Sequence, residues 1–373
     1  MRLVLHHEIP QDDNLRRQWN ELALSMEAPE VFFTYEWALA VTRGYERSVR
    51  PLLVLGYERD FLVGVAALAI DEEQQRASFL AGNTADYCDF VSDPRRRPEF
   101  VDLALRELQP LAGHLTLPNL PAFSATAWAM RNSASQQGNG CFSRPAFQCA
   151  QVDVLTSVQK ESVKRAMRSK QTIRRQLKAM AKLGPLEISH LSAWPEICET
   201  LPAYREAHLE RFFSLGRTSN MADAQRWAFL LELARLLSEQ GWMMLSRLTL
   251  GGQPIAWNYG FRFAGSWFCY QAAFDLRFQE YDPGICLLAR IVEDACDQPE
   301  IKRVDLGLGD EGYKSRFATS YRPTVYVTVT GSMMHHVREK LRYRAASALK
   351  SVPPLEHCVR WLLGKTVTGS ARA

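Results

Sequence analysis

The chain lacks four things, and each absence narrows the field. Its eight cysteines include no Cys-x-x-Cys pair. Most of them sit in apolar strand or helix patterns, as Cys269 and Cys286 do, which suits reduced core residues in a cytoplasmic protein rather than a disulfide scaffold. No run reaches the roughly 18 apolar residues of a membrane span. The first residues are not a signal peptide, because Glu8, Asp12 and Asp13 interrupt any apolar core. The eight histidines show no ligand spacing, so no metal is expected, and His335-His336 reads as a surface pair. A net charge of +4 is too small to imply nucleic acid as a partner. What remains is an ordinary soluble composition, 47% hydrophobic and 23% charged over 373 residues, enough for two domains.

Hydrophobic periodicity then gives an order of elements. In the C-terminal half Met243 to Leu250 alternates as a strand, Gly251-Gly252 is a hairpin turn, and Pro254 to Phe263 is a second strand. Ala264-Gly265 turns into a third, Ser266 to Phe274, followed by a helix from Ile285 to Ala295 and a strand from Val304 to Leu308. The N-terminal half repeats this order. Strands are expected at Leu52–Tyr57, Phe61–Ile70 and Arg76–Ala81, then a polar break, a helix at Pro98–Leu108, a strand at His114–Leu117 and a helix at Pro121–Met130. Helical patterns precede each meander, at Leu15–Met26 and Glu36–Tyr45, and at Pro195–Phe213 and Ala222–Gln240. The fold class expected is mixed α/β: either a duplicated β-β-β-α-β-α module or one mixed sheet with an unrelated N-terminal layer, duplication being favoured.

Asn132 to Gly140 reads as a polar loop between the halves. Val158 to Lys182 carries nine Lys or Arg residues against Glu161 alone, with Val163, Met167, Ile173, Leu177 and Met180 forming one apolar side. That pattern is either a solvated helix face or a basic wall beside an anionic ligand. The tail from Met333 to Ala373 holds eight basic residues against Glu339 and Glu356. Val337, Leu341, Ala345 and Leu349 form a helical stripe, Pro353-Pro354 breaks it, and Leu355, Val359, Trp361, Leu362 and Leu363 suggest a second amphipathic piece. Such a tail either packs on the protein itself or makes peripheral contact with an anionic membrane.

The stretch from Ser266 to Phe317 bears most directly on function. A Pro283-Gly284 helix start just after a strand makes an anion site, because first-turn N–H groups have no internal partner and the dipole end is positive. Gly284 would let a pyrophosphate approach. Gln279-x-x-Asp282-x-Gly284 resembles the phosphate loop of the GNAT superfamily of acyl-CoA N-acyltransferases, with Asp282 in place of the first glycine. Tyr281-Asp-Pro-Gly284, Asp305-Leu-Gly-Leu-Gly309-Asp310-Glu311 and Tyr313-Lys314 resemble the CelD-like and FemAB-like proteins, which carry tandem GNAT modules. Gly252-Gln-Pro-Ile-Ala256, Ala273-Phe-Asp275 and Asp86-Tyr87-Cys-Asp89 match at further points.

The resemblance implies two GNAT-type modules, each a mostly antiparallel mixed sheet flanked by helices, at 1–150 and 151–332, with a basic tail at 333–373. It implies a cytoplasmic N-acyltransferase moving an acyl group, acetyl by default, from acyl-CoA to an amine, such as an amino sugar in envelope or exopolysaccharide metabolism. An aminoacyl transferase using aminoacyl-tRNA, or a non-catalytic protein keeping the fold, is the alternative. Gln279, Pro283, Gly284 and the amides of Ile285, Cys286 and Leu287 would hold the pyrophosphate, and Ala272 and Ala273 would line the pantetheine arm. A bulge near Tyr270 would free an N–H for the acyl carbonyl. Tyr313 either protonates the leaving thiolate or packs beside Phe317. Asp310 and Glu311 either accept the amine proton or cap a helix, and Asp275 is a further base candidate or a turn residue. The N-terminal module starts its helix at Asp93-Pro-Arg95-Arg96-Arg97-Pro98 without glycine, so it is expected to have lost the cofactor. Asp86, Tyr87 and Asp89 there, with Lys314, are expected to meet the acceptor, and the three arginines to remain open to an anionic one.

Overall fold

The structure, a computed structural model, describes residues 1–309 and 311–350. In chain order the elements are β1 (Arg2–His6), α1 (Asp13–Leu24), α2 (Tyr35–Gly44), β2 (Pro51–Glu58), β3 (Phe61–Asp71), β4 (Arg76–Phe79), β5 (Val91–Ser92), α3 (Arg97–Leu108), β6 (His114–Pro121), α4 (Ala125–Gln136), β7 (Gly140–Asp153), α5 (Ser157–Ser169), α6 (Gln171–Met180), β8 (Leu186–Leu191), α7 (Trp194–Ser214), α8 (Ala224–Glu239), β9 (Met243–Leu250), β10 (Gln253–Phe263), β11 (Ser266–Phe274), α9 (Pro283–Cys296), β12 (Arg303–Asp305), β13 (Ser320–Thr330) and α10 (Met333–Lys350). Asp12 caps α1, Ser124 caps α4, and Thr156 closes a reciprocal capping box with Gln159 on α5. The fold class is mixed α/β, as expected.

Two expectations about elements need correction. The segment read as a loop at 132–140 is helical as far as Gln136, and β7 begins at Gly140 after a short turn. The basic run is two helices, because Lys170 leaves helical geometry at ψ 102° while its ammonium donates to the Arg316 carbonyl. Its inner row is structural: Lys160 reaches the Gln298 carbonyl, Lys164 pairs with Asp297 and Arg168 with Glu293. These partners occupy the end of α9, where cations are favoured.

The chain forms two compact units that do not follow its order. Met1–Ala28, Ser48–Phe147 and the chain from Pro323 form the first, and Pro29–Arg47 with Gln148–Arg322 form the second. In the first unit the strand order is β1-β2-β3-β4-β6-β13, with β5 beside β3. In the second it is β7-β12-β11-β10-β9-β8. Each contains an antiparallel meander, β2-β3-β4 or β9-β10-β11, then a helix and a strand parallel to the meander's last member. This shared pattern supports duplication. Each sheet also takes a strand from elsewhere in the chain, β13 in the first unit and β7 in the second.

The second unit buries residues on both faces of its sheet. On one face α9 packs with α5 and α6 around Met167, Ile173, Leu287, Ile291 and Trp267. On the other, α2, α7 and α8 enclose an aromatic group of Phe32, Trp37, Phe229, Tyr259, Phe261, Phe268 and Tyr270, with Phe32 edge-on to Phe268 at 4.8 Å. Residues 29–47 belong here for a steric reason. Gly44 lets α2 lie against the backbone of Phe229, where an added Cβ would approach to 2.5 Å.

Candidate active site

The site is built from a sheet defect. β11 and β12 run parallel for three residue pairs only, Ser266↔Arg303, Trp267↔Val304 and Phe268↔Asp305. Beyond that point β12 stops, while β11 continues to Phe274 with β10 as its ladder partner. The edge of β11 from Cys269 onward is therefore released from β12. A register shift follows at once: Gly260 faces Cys269 and Tyr259 faces Gln271, leaving Tyr270 as the extra residue of a bulge. Gly260 permits it, since any side chain there would collide with the Phe268 carbonyl. The bulge expected near Tyr270 is present. Asp305, at the splay point, is buried and accepts from Gln151 Nε2 at 2.6 Å and from the Gly307 amide at 2.8 Å.

The helix start is at α9. Asp282 adopts a left-handed conformation (φ 47°, ψ 50°), followed by Pro283 in the first turn. The amides of Ile285 and Cys286 both donate to the Asp282 carbonyl at 3.0 Å. This corrects the expectation that Ile285 and Cys286 offer free amides to a pyrophosphate. Cys286 is committed to the helix, its thiol is buried, and burial pushes that thiol up to about 12. Gly284 is the open position: a Cβ there would meet only Phe274, at 3.5 Å. Pro283 is buried, Gln279 is exposed with its carbonyl accepting from the Asp282 amide, and Ala273 is buried beside half-buried Ala272 on β11. Gln176 of α6 donates to the Glu280 carbonyl at 2.9 Å, so the helix carrying Arg174, Arg175 and Lys178 borders the approach to α9.

Tyr313 packs on the core that contains Cys269, the first β11 residue beyond the splay. Burial, with Glu311 and Cys269 nearby, holds its hydroxyl well above the ordinary tyrosine range, so it stays protonated. Arg211 of α7 joins the group: its guanidinium carbon lies 5.0 Å from the Phe274 ring centroid and it faces Tyr313 and Glu311. Behind Arg211, one turn back on α7, His208 is buried. Its Nδ1 lies 2.8 Å from Ser219 Oγ, and Gln271 Nε2 lies 2.9 Å from its Nε2. Burial, then the charges of Arg211 and Arg226, lower His208 to about 4 and keep it neutral. Neither residue was among the sequence candidates. Their i, i+3 spacing, which puts both on one helix face, was the available signal.

Several expected roles need correction. Lys314 does not point toward an acceptor. It is 5% exposed, and its ammonium donates to the Leu308 carbonyl at 2.6 Å and pairs with Glu311 at 2.9 Å, fixing the loop after β12. Asp275 is a turn residue: it accepts from the Arg277 amide and pairs with the Arg277 guanidinium at 2.6 Å. Partial burial raises its carboxyl, but the hydrogen bonds and charge of Arg277 outweigh this and leave it below the usual range, unsuited to a base. Asp310 lies outside the described residues. His336, read as a surface residue, is buried against Gly140.

Two of the three residues expected to meet the acceptor from the first unit are internal to it, and Asp89 is half-buried. Tyr87 is fully buried, Asp86 nearly so, and Asp89 accepts from the Ser124 hydroxyl at 2.6 Å, holding the start of α4. The first unit has the same parallel pair, β4 and β6, in register for three pairs. Its β6 strand is taken up beyond that point: the Asn119 carbonyl accepts from Cys88 N–H and its side-chain amide donates to the Ala85 carbonyl, each at 3.0 Å. The three arginines are not held open for a ligand as a set. Arg97 is buried, with a bidentate pair to Glu27 at 2.9 and 2.7 Å, and Arg96 pairs with Glu58.

Residues 167–315 match the family model described as an acetyltransferase (GNAT) domain, a stretch that runs from the end of α5 past Tyr313. Similar solved structures include FemX, at TM-score 0.59 and 9% identity over 88% of this chain and 97% of that one. The C-terminal domain of a putative lysylphosphatidylglycerol synthetase from Agrobacterium fabrum aligns at TM-score 0.54 and 12% identity over 88% and 94%. A tandem GNAT protein from the clavulanic acid biosynthesis pathway aligns at TM-score 0.48 and 13% identity over 89% and 99%. At these identities the likeness to FemX and to the synthetase domain is one of fold. No curated protein sequence matches the chain. No group of metal ligands and no helix long and apolar enough to cross a membrane occurs among the described residues.

Proposed function

We propose that the second unit is an N-acyltransferase that moves an acyl group, acetyl by default, from acyl-CoA to an amine. The observation that carries this is the release of β11 from β12 at Phe268/Asp305, with the bulge at Tyr270 beyond it. An acyl thioester laid along the released edge would meet backbone donors suited to its carbonyl oxygen. The Pro283-Gly284 start of α9 would take the pyrophosphate through the Gly284 amide. The amine nitrogen would attack the acyl carbon, the carbon–sulfur bond would break, and Tyr313 would give its proton to the departing thiolate. Glu311, held by Lys314, is the described carboxylate nearest to Tyr313 in the chain and the candidate to take the amine proton through water.

An aminoacyl donor carried on tRNA is the second reading. One observation favours it: the amides of Ile285 and Cys286 are spent on Asp282, so α9 offers a phosphate less than a full nest. Titration with acetyl-CoA separates the two. Micromolar binding to the wild type, abolished in a folded Gly284→Glu variant and retained in Arg96→Glu, supports the acyl-CoA reading. Binding that survives Gly284→Glu would remove α9 from the site. Release of free thiol with a panel of amines would then exclude a merely binding role.

An amino sugar of an envelope or exopolysaccharide precursor is the acceptor class we propose, with the enzyme in the cytoplasm at the inner face of the membrane. The described part of α10 supports the membrane contact. Met333, Met334, Val337 and Leu341 are exposed on it, with Arg338 and Arg342 beside them.

A further inference from the structure

Arg226 of α8 is 4% exposed, in the interior of the second unit. Its Nη2 donates to the Tyr270 hydroxyl at 2.8 Å, and its Nε and Nη1 are buried without an acceptor. No ion pair joins it to a carboxylate among the described residues. Burial opposes its charge, and the hydroxyls of Tyr270 and Tyr45, both hydrogen-bonded to it, favour the charge. The rings of Phe229 and Tyr270 flank it at 5.1 and 5.5 Å from their centroids. The buried Tyr204 hydroxyl, within electrostatic reach of Arg226, also lacks a partner, as does the buried Gln271 Oε1 on the neighbouring β11 residue.

A guanidinium cannot shed its proton to escape burial, as a lysine or histidine does. Stranding it among aromatic rings with two nitrogens unpaired is costly, and the absent element is a counter-ion. The geometry of a guanidinium fits a planar or tetrahedral oxoanion through two parallel N–H bonds. The unpartnered Tyr204 hydroxyl can donate to such an oxygen and does not repel it. Tyr270, the bulge residue of the released β11 edge, hydrogen-bonds Arg226 directly, so the counter-ion would lie next to the proposed acyl site.

We propose that Arg226, with Tyr45, Tyr204 and Tyr270, binds an oxoanionic group of the amine acceptor, a carboxylate or a phosphate, on the α7–α8 face of the second unit. This rests on the acyltransferase reading for its word "acceptor", but the oxoanion site stands or falls separately. The idea explains why a costly charge is kept where an apolar side chain would pack.

The test uses the full chain and matched probe pairs: glycine against glycinamide, and glucosamine 6-phosphate against glucosamine, in thermal-shift titrations of wild type, Arg226→Met and Arg226→Lys. The expected result is saturable stabilisation by one oxoanion-bearing probe and not by its neutral mate. The apparent affinity should fall at least tenfold in Arg226→Met and less in Arg226→Lys. Without ligand, Arg226→Met should melt at or above the wild-type temperature, since it removes an uncompensated charge. Protection by glycine or by glucosamine 6-phosphate assigns the anion as carboxylate or phosphate. Equal response to both members of each pair, or anion binding unchanged in both variants, overturns the proposal. So does loss of stability in Arg226→Met together with absence of anion binding by the wild type, which would make the residue structural. Acetyl-CoA binding measured in the same samples keeps the two readings apart. Its absence with Arg226-dependent anion binding intact would sink only the acyl-CoA donor.

Discussion

Tyr313 is the residue we propose as the acid for the departing thiolate. Burial keeps its hydroxyl neutral, and it packs on the core beside Cys269 at the start of the released β11 edge. Removing the hydroxyl leaves the ring and its packing in place. Tyr313→Phe is therefore expected to lower turnover by about 10²–10⁴-fold with little change in acyl-CoA affinity. Steady-state kinetics with direct binding measurement check this, and unchanged turnover would leave Tyr313 as packing alone. At this scale the Pro283-Gly284 helix start was legible in local spacing, while Tyr313 was singled out only by the family resemblance. The sequence misplaced Lys314 and Asp275, because a side chain's partner is not encoded next to it. Lys314 is turned inward by carbonyls at Gly307 and Leu308 that only the loop's fold brings within reach.

Among elements, the segment from Pro29 to Arg47 shows how a stretch of chain is recruited by a unit distant in sequence. Glu30, just ahead of α2, is 3% exposed and paired with Arg322. Burial raises its carboxyl to about 7, Arg322 opposing and Asp305 reinforcing the shift. The unfolded carboxyl titrates near 4.5, so between these values the folded state holds a proton that the unfolded chain releases. The resulting stabilisation is full below pH 4.5 and is lost as pH rises through 7, at up to about 1.4 kcal/mol per pH unit. Thermal melts of wild type and Glu30→Gln from pH 4.5 to 8 are expected to diverge accordingly: the wild type loses stability relative to the variant as pH rises. Parallel curves would mean that Glu30 is charged throughout. His208, lowered to about 4, acts in the opposite sense below pH 6.5, and the comparison with Glu30→Gln cancels it.

For the whole molecule, the exposed apolar residues of α10 and the basic residues among them predict salt-sensitive sedimentation of the full chain with anionic liposomes. A variant carrying Met334→Glu, Val337→Glu and Leu341→Glu is expected to lose that sedimentation while keeping soluble activity. The part of the tail read as a second amphipathic piece, around Trp361, lies outside the described residues. Absence of binding by the intact chain would end the membrane proposal.

What the sequence determined by itself was local. Alternation fixed the meander strands, with Ser266–Phe274 and Met243–Leu250 observed at their expected bounds, since a strand's face is written every second residue. Hydrophobic periodicity gave the order β-β-β-α-β in both halves, with turn glycines marking it in the second. The tertiary structure decided what depends on distant partners. It gave residues 29–47 to the second unit and β13 to the first, through contacts such as Gly44 on Phe229 and the pairing of Thr324 with Pro121. It closed β6 beyond its pairing with β4 by binding Ala85 and Cys88 to Asn119. It also gathered Arg211, His208, Gln271 and Arg226 from α7, β11 and α8 around one strand edge. No spacing rule joins residues brought together by sheet and helix packing, because that proximity exists only once the chain has buried its core.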